Sequence, residues 1–84
     1  MSISIYWEPS PPPRRERLDV GAPSKFMECL RSLAPDELVL GPEHYGALRA
    51  LAMLWGPQES PKNPFLFLVE QITEFGAVRI TADP

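Results

Sequence analysis

The sequence contains one cysteine, one histidine and no apolar run long enough to cross a membrane. A single cysteine cannot form an internal disulfide, so a disulfide-stapled scaffold is excluded. A transmembrane helix needs roughly 20 consecutive apolar residues, and the N-terminus lacks the basic and then apolar pattern of a signal peptide. We therefore expect a protein without membrane segments in a reducing, cytoplasmic compartment.

The usual catalytic and metal-binding patterns are also missing. The sequence has no GxGxxG, Walker or GxSxG motif, and no HxxxH or CxxC spacing. Cys29 falls on the apolar side of a predicted helix, where a free cysteine behaves as a small hydrophobic residue. A catalytic dyad with Cys29 as the nucleophile and His44 as the base is therefore only a minor alternative. We expect a protein that is not an enzyme and that binds no metal or cofactor.

Proline is abundant: eleven of the 84 residues are proline, more than twice the usual share of roughly 5%. The prolines fall between segments of regular hydrophobic periodicity, which favours a globular chain with stiff connections over a disordered one. We predict one small domain over residues 1–84, with a proline- and arginine-rich crossover at residues 8–23. Use of this crossover as a polyproline ligand is the weaker alternative.

Charge is distributed unevenly along the chain. Residues 1–34 carry five basic and four acidic side chains, whereas residues 35–84 carry three basic and seven acidic ones. This acidic balance argues against a protein that binds nucleic-acid phosphates, since such proteins depend on clustered Lys and Arg. The alternative nucleic-acid face would consist of Arg14, Arg15, Arg17, Lys25 and Arg31.

Both ends of the chain have the two-residue periodicity of a half-buried strand. Ile3, Ile5 and Trp7 alternate with polar residues or tyrosine, and Val78 and Ile80 alternate near the C-terminus. Two short strands are marginal alone, so we predict that they pair with each other. Residues 38–40 could add a third strand, although we favour an extended lead into the next helix.

Three segments have helical periodicity, at residues 23–33, 42–55 and 63–75. Ser24 is the predicted N-cap of the first helix, and Asn63 that of the third. The fold class is therefore α+β, with a two- or three-stranded sheet formed by the chain termini and covered by three helices.

The second helix contains three small residues, Gly46, Ala47 and Ala50. Small side chains let another helix approach closely. We predict that this helix packs within the same chain and that its small residues are not a dimer contact.

Four residues are the candidate partner-binding surface: Tyr6, Phe67, Glu70 and Glu74. Alternation places Tyr6 on the sheet face opposite Trp7, which three helices on one side can leave open. Phe67 lies off the main apolar stripe of the third helix, beside the two glutamates. An aromatic rimmed by acidic groups can serve as a binding anchor, whereas burial of Phe67 against a neighbouring element is the alternative. We expect the glutamates to be solvated and not acid–base catalysts.

The chain resembles a group of short proteins encoded in bacteriophage and prophage genomes. The resemblance is carried by the opening SISIYWEP, by RLDVGAPSKFM and LRALA, and by the closing NPFLFLVEQITEFGAVRI. It implies a small fold, a phage setting and the cytoplasm of a bacterial host. Many small acidic phage proteins bind a host enzyme or a defence complex, and some inhibit CRISPR surveillance.

The leading hypothesis is therefore a phage-derived protein that binds and occludes a host protein or defence complex. A nucleic-acid-binding regulator and an oligomeric phage structural component are the alternatives.

Overall fold

A computed structural model of the chain describes residues 3–10, 15–35, 37–56 and 63–83. Within these residues it has an α+β fold, which confirms the predicted class. The elements in chain order are β1 (Ser4–Pro9), β2 (Glu16–Leu18), α1 (Pro23–Leu33), β3 (Val39–Leu40), α2 (Tyr45–Trp55), α3 (Pro64–Phe75) and β4 (Val78–Asp83). A 3₁₀ turn, Pro42–His44, precedes α2.

The four described strands form one antiparallel sheet in the order β2-β1-β4-β3. The two terminal strands pair along their whole length, from Ser4 opposite Asp83 to Pro9 opposite Val78. The prediction that the chain ends pair with each other is confirmed. This central pair places residues from both ends of the chain on each face of the sheet.

The two edge strands are where the structure differs from the sequence prediction. Val39–Leu40 pairs with β4, so this segment is a strand and not merely a lead into the helix. Glu16–Leu18 lies inside the predicted crossover and pairs with β1, with Leu18 opposite Ile5. Both segments are too short to show a period, and their strand geometry comes from pairing with a longer neighbour. Residues 11–14 of the crossover lie outside the described residues.

The third helix begins as predicted. The Asn63 side-chain oxygen accepts a hydrogen bond from the Phe65 backbone N–H at 3.0 Å, and Pro64 occupies the first helical position. The Asn63 side-chain nitrogen also donates to the Ala52 carbonyl at 3.0 Å and the Gly56 carbonyl at 3.3 Å. Asn63 therefore caps α3 and ties its start to the end of α2.

The predicted cap of the first helix is wrong. Helix α1 begins at Pro23 after Ala22, and no side chain caps it. Proline fixes its own φ near the helical value, so Pro23 occupies the first helical position and Ser24 falls within the first turn.

The apolar core lies on one face of the sheet, between the sheet and the three helices. Strand residues Ile5, Trp7 and Ile80 are almost fully buried there. The helices contribute a cluster of aromatic rings, with the Phe26 and Phe65 centroids 5.0 Å apart and the Trp55 and Phe65 centroids 5.3 Å apart. The other buried apolar residues of this core are Leu18, Met27, Leu30, Leu40, Leu48, Ala52, Leu68, Ile72 and Val78.

Helices α2 and α3 form an antiparallel hairpin. At one end the Tyr45 hydroxyl lies 3.0 Å from the Thr73 hydroxyl, and at the other Asn63 bonds the Ala52 carbonyl. None of the described helices has the length and apolar character of a membrane span.

Candidate functional site

The sheet face turned away from the helices carries Tyr6. Because successive side chains of a strand point to opposite faces, Tyr6 lies opposite the buried Ile5 and Trp7. Tyr6 pairs with Arg17 of β2 on one side and with Thr81 of β4 on the other. We call this surface the outer sheet face; its residues are Tyr6, Glu8, Arg15, Arg17, Arg79, Thr81 and Asp83.

Each described arginine of the outer sheet face has a carboxylate neighbour. Arg15 lies over the Tyr6 ring, with its guanidinium carbon 3.7 Å from the ring centroid, and it forms an ion pair with Asp83. Two further pairs are longer: Arg79 lies 4.0 Å from Glu8, and Arg17 lies 3.7 Å from Asp19. The positive charge of this face is therefore locally balanced, and Tyr6 is partly covered by Arg15.

The residues of the alternative nucleic-acid face do not share one surface. Arg15 and Arg17 belong to the outer sheet face, whereas Lys25 and Arg31 are exposed residues of α1, which packs on the other side of the sheet. The Lys25 ammonium lies 5.6 Å from the centroid of Trp55. Arg14 lies outside the described residues. The described basic side chains thus form no continuous positive stripe of the kind that follows a phosphate backbone.

Phe67 is partly buried against the core. Its ring meets Trp7 edge-on, with centroids 5.3 Å apart and an interplanar angle of 76°. Trp7 and Tyr6 point to opposite faces of β1, so the structure does not bring Phe67 and Tyr6 together. The four predicted partner-binding residues therefore do not form a single surface, although the binding role of each one stays a prediction.

Glu70 and Glu74 are exposed on α3, as predicted. They continue a ridge that begins with Leu66, because residues four apart lie on the same side of a helix. The side chain of Leu66 is 42% exposed. Leu66 lies on the side of α3 that meets α2, since Thr73, seven residues later, contacts Tyr45 of α2. Each four-residue step turns about 40° round the helix, so Glu70 and Glu74 are directed progressively away from α2.

Helix α2 presents large apolar side chains to solvent. Met53 is 84% exposed and Leu54 is 81% exposed. Gly46 and Ala50 are exposed on the same ridge as Leu54, at four-residue spacing, and no atom lies within 4 Å of where a Cβ on Gly46 would stand. We call the exposed side of α2 the hairpin surface, formed by Gly46, Ala50, Met53 and Leu54. Leu54 is turned away from α3, because Tyr45, which contacts Thr73 of α3, lies on the opposite side of α2.

The apolar part of this surface was missed by the sequence analysis. The small residues of α2 were predicted to pack within the chain, but Gly46 and Ala50 are exposed and only Ala47 is half-buried. A signal was present, because α2 has apolar residues around its whole circumference and one charged residue, Arg49. Such a helix is expected either in the interior of a protein or at an interface.

A shallow cleft lies at the end of β1 and β2. Its volume is about 150 Å³, and its walls include Ile5, Leu18 and Val20, with Arg17 and Asp19 also lining it. Pockets for small-molecule ligands usually measure about 300–1,000 Å³, so this cleft has room for a single side chain. The described residues contain no group of three or more His, Cys, Asp or Glu side chains placed to hold a metal ion.

Comparison with known proteins gives no match, since no protein-family model, curated protein or solved structure is detectably similar to the chain. The surfaces described above are therefore the observations on which a function can be based.

Proposed function

We propose that this protein is a non-catalytic binding protein that occludes a protein partner through its hairpin surface. The observation that carries the proposal is the exposure of Met53 and Leu54, which are adjacent and more than four-fifths accessible. Large exposed apolar groups on a small protein mark interaction sites, because their contact with water is unfavourable unless a partner covers them. The next most exposed large apolar side chains among the described residues, Leu66 and Phe75, are only about two-fifths accessible.

The surface has the composition of a protein interface. Methionine is flexible and adapts to the shape of a partner. The apolar side chains are bordered by the exposed Arg49, one helical turn before Met53, and apolar centres with polar rims are typical of protein–protein contacts. We further propose that the target is a bacterial host protein or defence complex in the host cytoplasm, with a CRISPR surveillance complex as one such target.

The nucleic-acid alternative receives less support. Arg15, Arg17 and Arg79 each have a carboxylate neighbour, which weakens their attraction to phosphates. An oligomeric structural role is the other alternative, and its distinguishing property would be a stable assembly in sedimentation.

The test is affinity capture from a bacterial host lysate, with and without nuclease, using the native chain and the double variant Met53→Glu/Leu54→Glu. We expect one protein or complex to be retained by the native chain after nuclease treatment and to be lost with the variant. The control is Arg17→Glu on the outer sheet face, which should retain the same partner. Equal capture by the native chain and the Met53/Leu54 variant would contradict the proposal, as would capture that disappears with the nucleic acid.

A further inference from the structure

We propose that Met53 is a reversible oxidation site, and that its conversion to methionine sulfoxide stops the hairpin surface from binding its partner. The loss of binding rests on the proposed function, whereas the oxidation of Met53 does not. Both follow from the exposure of Met53, from the burial of Met27 and from the composition of the hairpin surface.

The side chain of Met53 is open to dissolved oxidants, whereas that of Met27 is closed to them. Met53 is 84% exposed on the solvent side of α2, and Met27 is 2% exposed in the core. An oxidant must reach the thioether sulfur to react with it, so exposure determines which methionine is oxidised. Met1, the third methionine of the chain, lies outside the described residues.

The reaction is a two-electron transfer of oxygen from a peroxide such as hydrogen peroxide. A lone pair of the Met53 sulfur attacks one peroxide oxygen, a sulfur–oxygen bond forms and the O–O bond breaks. The second oxygen leaves as water with both peroxide protons, so the sulfur is oxidised and the peroxide is reduced. A sulfoxide reductase returns the added oxygen as water while two thiols are oxidised to a disulfide, which makes the modification reversible.

Oxidation of Met53 would change the character of the hairpin surface. Of its four residues Met53 and Leu54 carry the large apolar side chains, since Gly46 and Ala50 have at most a methyl group. The sulfoxide is polar, so one of the two large apolar groups would be lost. A partner that covers Leu54 would also have to bury the sulfoxide oxygen, which is unfavourable unless that oxygen gains a hydrogen bond.

The fold itself tolerates this oxidation. Met53 does not belong to the apolar cluster between the sheet and the helices, whereas Met27 lies within that cluster. An oxygen on Met27 would place a polar group inside the core and destabilise the chain. Oxidation at Met53 therefore alters the surface and leaves the folded structure intact.

The first test compares the oxidation rates of the two methionines. The full chain is treated with dilute hydrogen peroxide, and tryptic peptides are followed by mass spectrometry. Trypsin places Met27 and Met53 on separate peptides, residues 26–31 and 50–62. We expect Met53 to react at least about tenfold faster than Met27 in the folded chain and at a similar rate in urea, because unfolding exposes both. Equal rates in the folded chain, or a difference that persists in urea, would overturn the proposal.

The second test measures the apolar character of the surface without a partner, as retention on a phenyl hydrophobic-interaction column. Peroxide should shorten the retention of the native chain, and treatment with sulfoxide reductase should restore it. The matched control is Met53→Leu, which keeps an apolar side chain of similar size and cannot be oxidised at this position. Its retention should not change with peroxide. Unchanged retention of the fully oxidised native chain would overturn the proposal, and so would an equal change in Met53→Leu.

The third test is lysate capture after peroxide treatment, in a lysate from which small thiols have been removed. Oxidation should reduce capture by the native chain at least about tenfold and leave capture by Met53→Leu within about twofold. Dispersed NMR spectra show that the oxidised chain is folded. Equal capture before and after oxidation of Met53 would overturn the regulation of binding. If the untreated chain captures no partner, the proposed function is wrong, and the oxidation site is still decided by the oxidation rates and the column retention.

Discussion

The ring of Phe67 packs edge-on against Trp7, with ring centroids 5.3 Å apart. Phe75, at the end of the same helix, lies 6.1 Å from Trp7 between ring centroids. Trp7 thus lies near two rings of α3, where the sheet meets the helices. Phe67 therefore has a structural role, whatever part it plays in binding.

Replacing Phe67 by alanine should lower the free energy of unfolding by about 2–3 kcal/mol, less than for a fully buried ring because Phe67 is partly exposed. Urea denaturation measures the change. The control is Leu66→Ala on the same helix, which is half-exposed and should cost under about 1 kcal/mol. An unchanged stability for Phe67→Ala would show that the ring does not contribute to the core.

Asn63→Ala should destabilise the fold by about 1–2 kcal/mol, because Asn63 both caps α3 and bonds two carbonyls near the end of α2. The matched comparison is Ser24→Ala in α1. Since no side chain caps that helix, the serine change should stay within about 0.5 kcal/mol. Thermal unfolding monitored by circular dichroism distinguishes the two, and a larger loss at Ser24 would contradict the observed cap geometry.

Replacing glycine by alanine should lower the free energy of unfolding at two positions, Gly56 and Gly76, and raise it at a third, Gly46. Gly56 and Gly76 have φ of +88° and +90°, a region that side chains with a Cβ rarely adopt, so alanine there should cost about 1 kcal/mol or more. Gly46 lies within α2 with open space around it, so alanine should stabilise the helix by up to about 1 kcal/mol. Chemical denaturation of the three single variants checks this order, and a stabilised Gly76→Ala would refute it.

The Arg15 and Asp83 pair should couple by no more than about 1 kcal/mol in a double-mutant cycle, because both side chains are roughly half exposed and water screens their attraction. The stacking of Arg15 on Tyr6 should add about 0.5–1 kcal/mol to the free energy of unfolding. Repeating the cycle in about 1 M salt should reduce the ion-pair coupling while leaving the tyrosine contact largely intact. A salt-insensitive Arg15–Asp83 coupling would contradict this assignment.

The native chain should not retard DNA or RNA at low salt, because the described arginines of the outer sheet face have carboxylate neighbours. The double variant Glu8→Gln/Asp83→Asn removes two of those carboxylates and should bind more strongly than the native chain. Gel retardation over a salt series measures both. Strong, salt-dependent binding by the native chain would restore the nucleic-acid regulator as the leading function.

Much of the fold could be predicted because its signals are local. Alternation identified β1 and β4, and the cap at Asn63 marked the start of α3. The strands Glu16–Leu18 and Val39–Leu40 were missed or left open because so short a segment gains strand geometry only from its neighbour. Glu70 and Glu74 are exposed as predicted, but the exposed apolar residues of α2, Met53 and Leu54, were not predicted.

Local sequence patterns were enough to predict the α+β class, the pairing of the two terminal strands and the three helical segments. These signals are local, because hydrophobic periodicity and the glycine or proline residues that end a helix or strand involve only a few neighbouring residues. Which apolar side chains are covered was settled by the tertiary fold. Leu48 and Leu54 are the same residue type in the same apolar helix, yet Leu48 is fully buried and Leu54 is 81% exposed. The difference arises because a helix that is apolar on all sides can bury only the side that meets its neighbours, and the arrangement of those neighbours is a property of the whole fold.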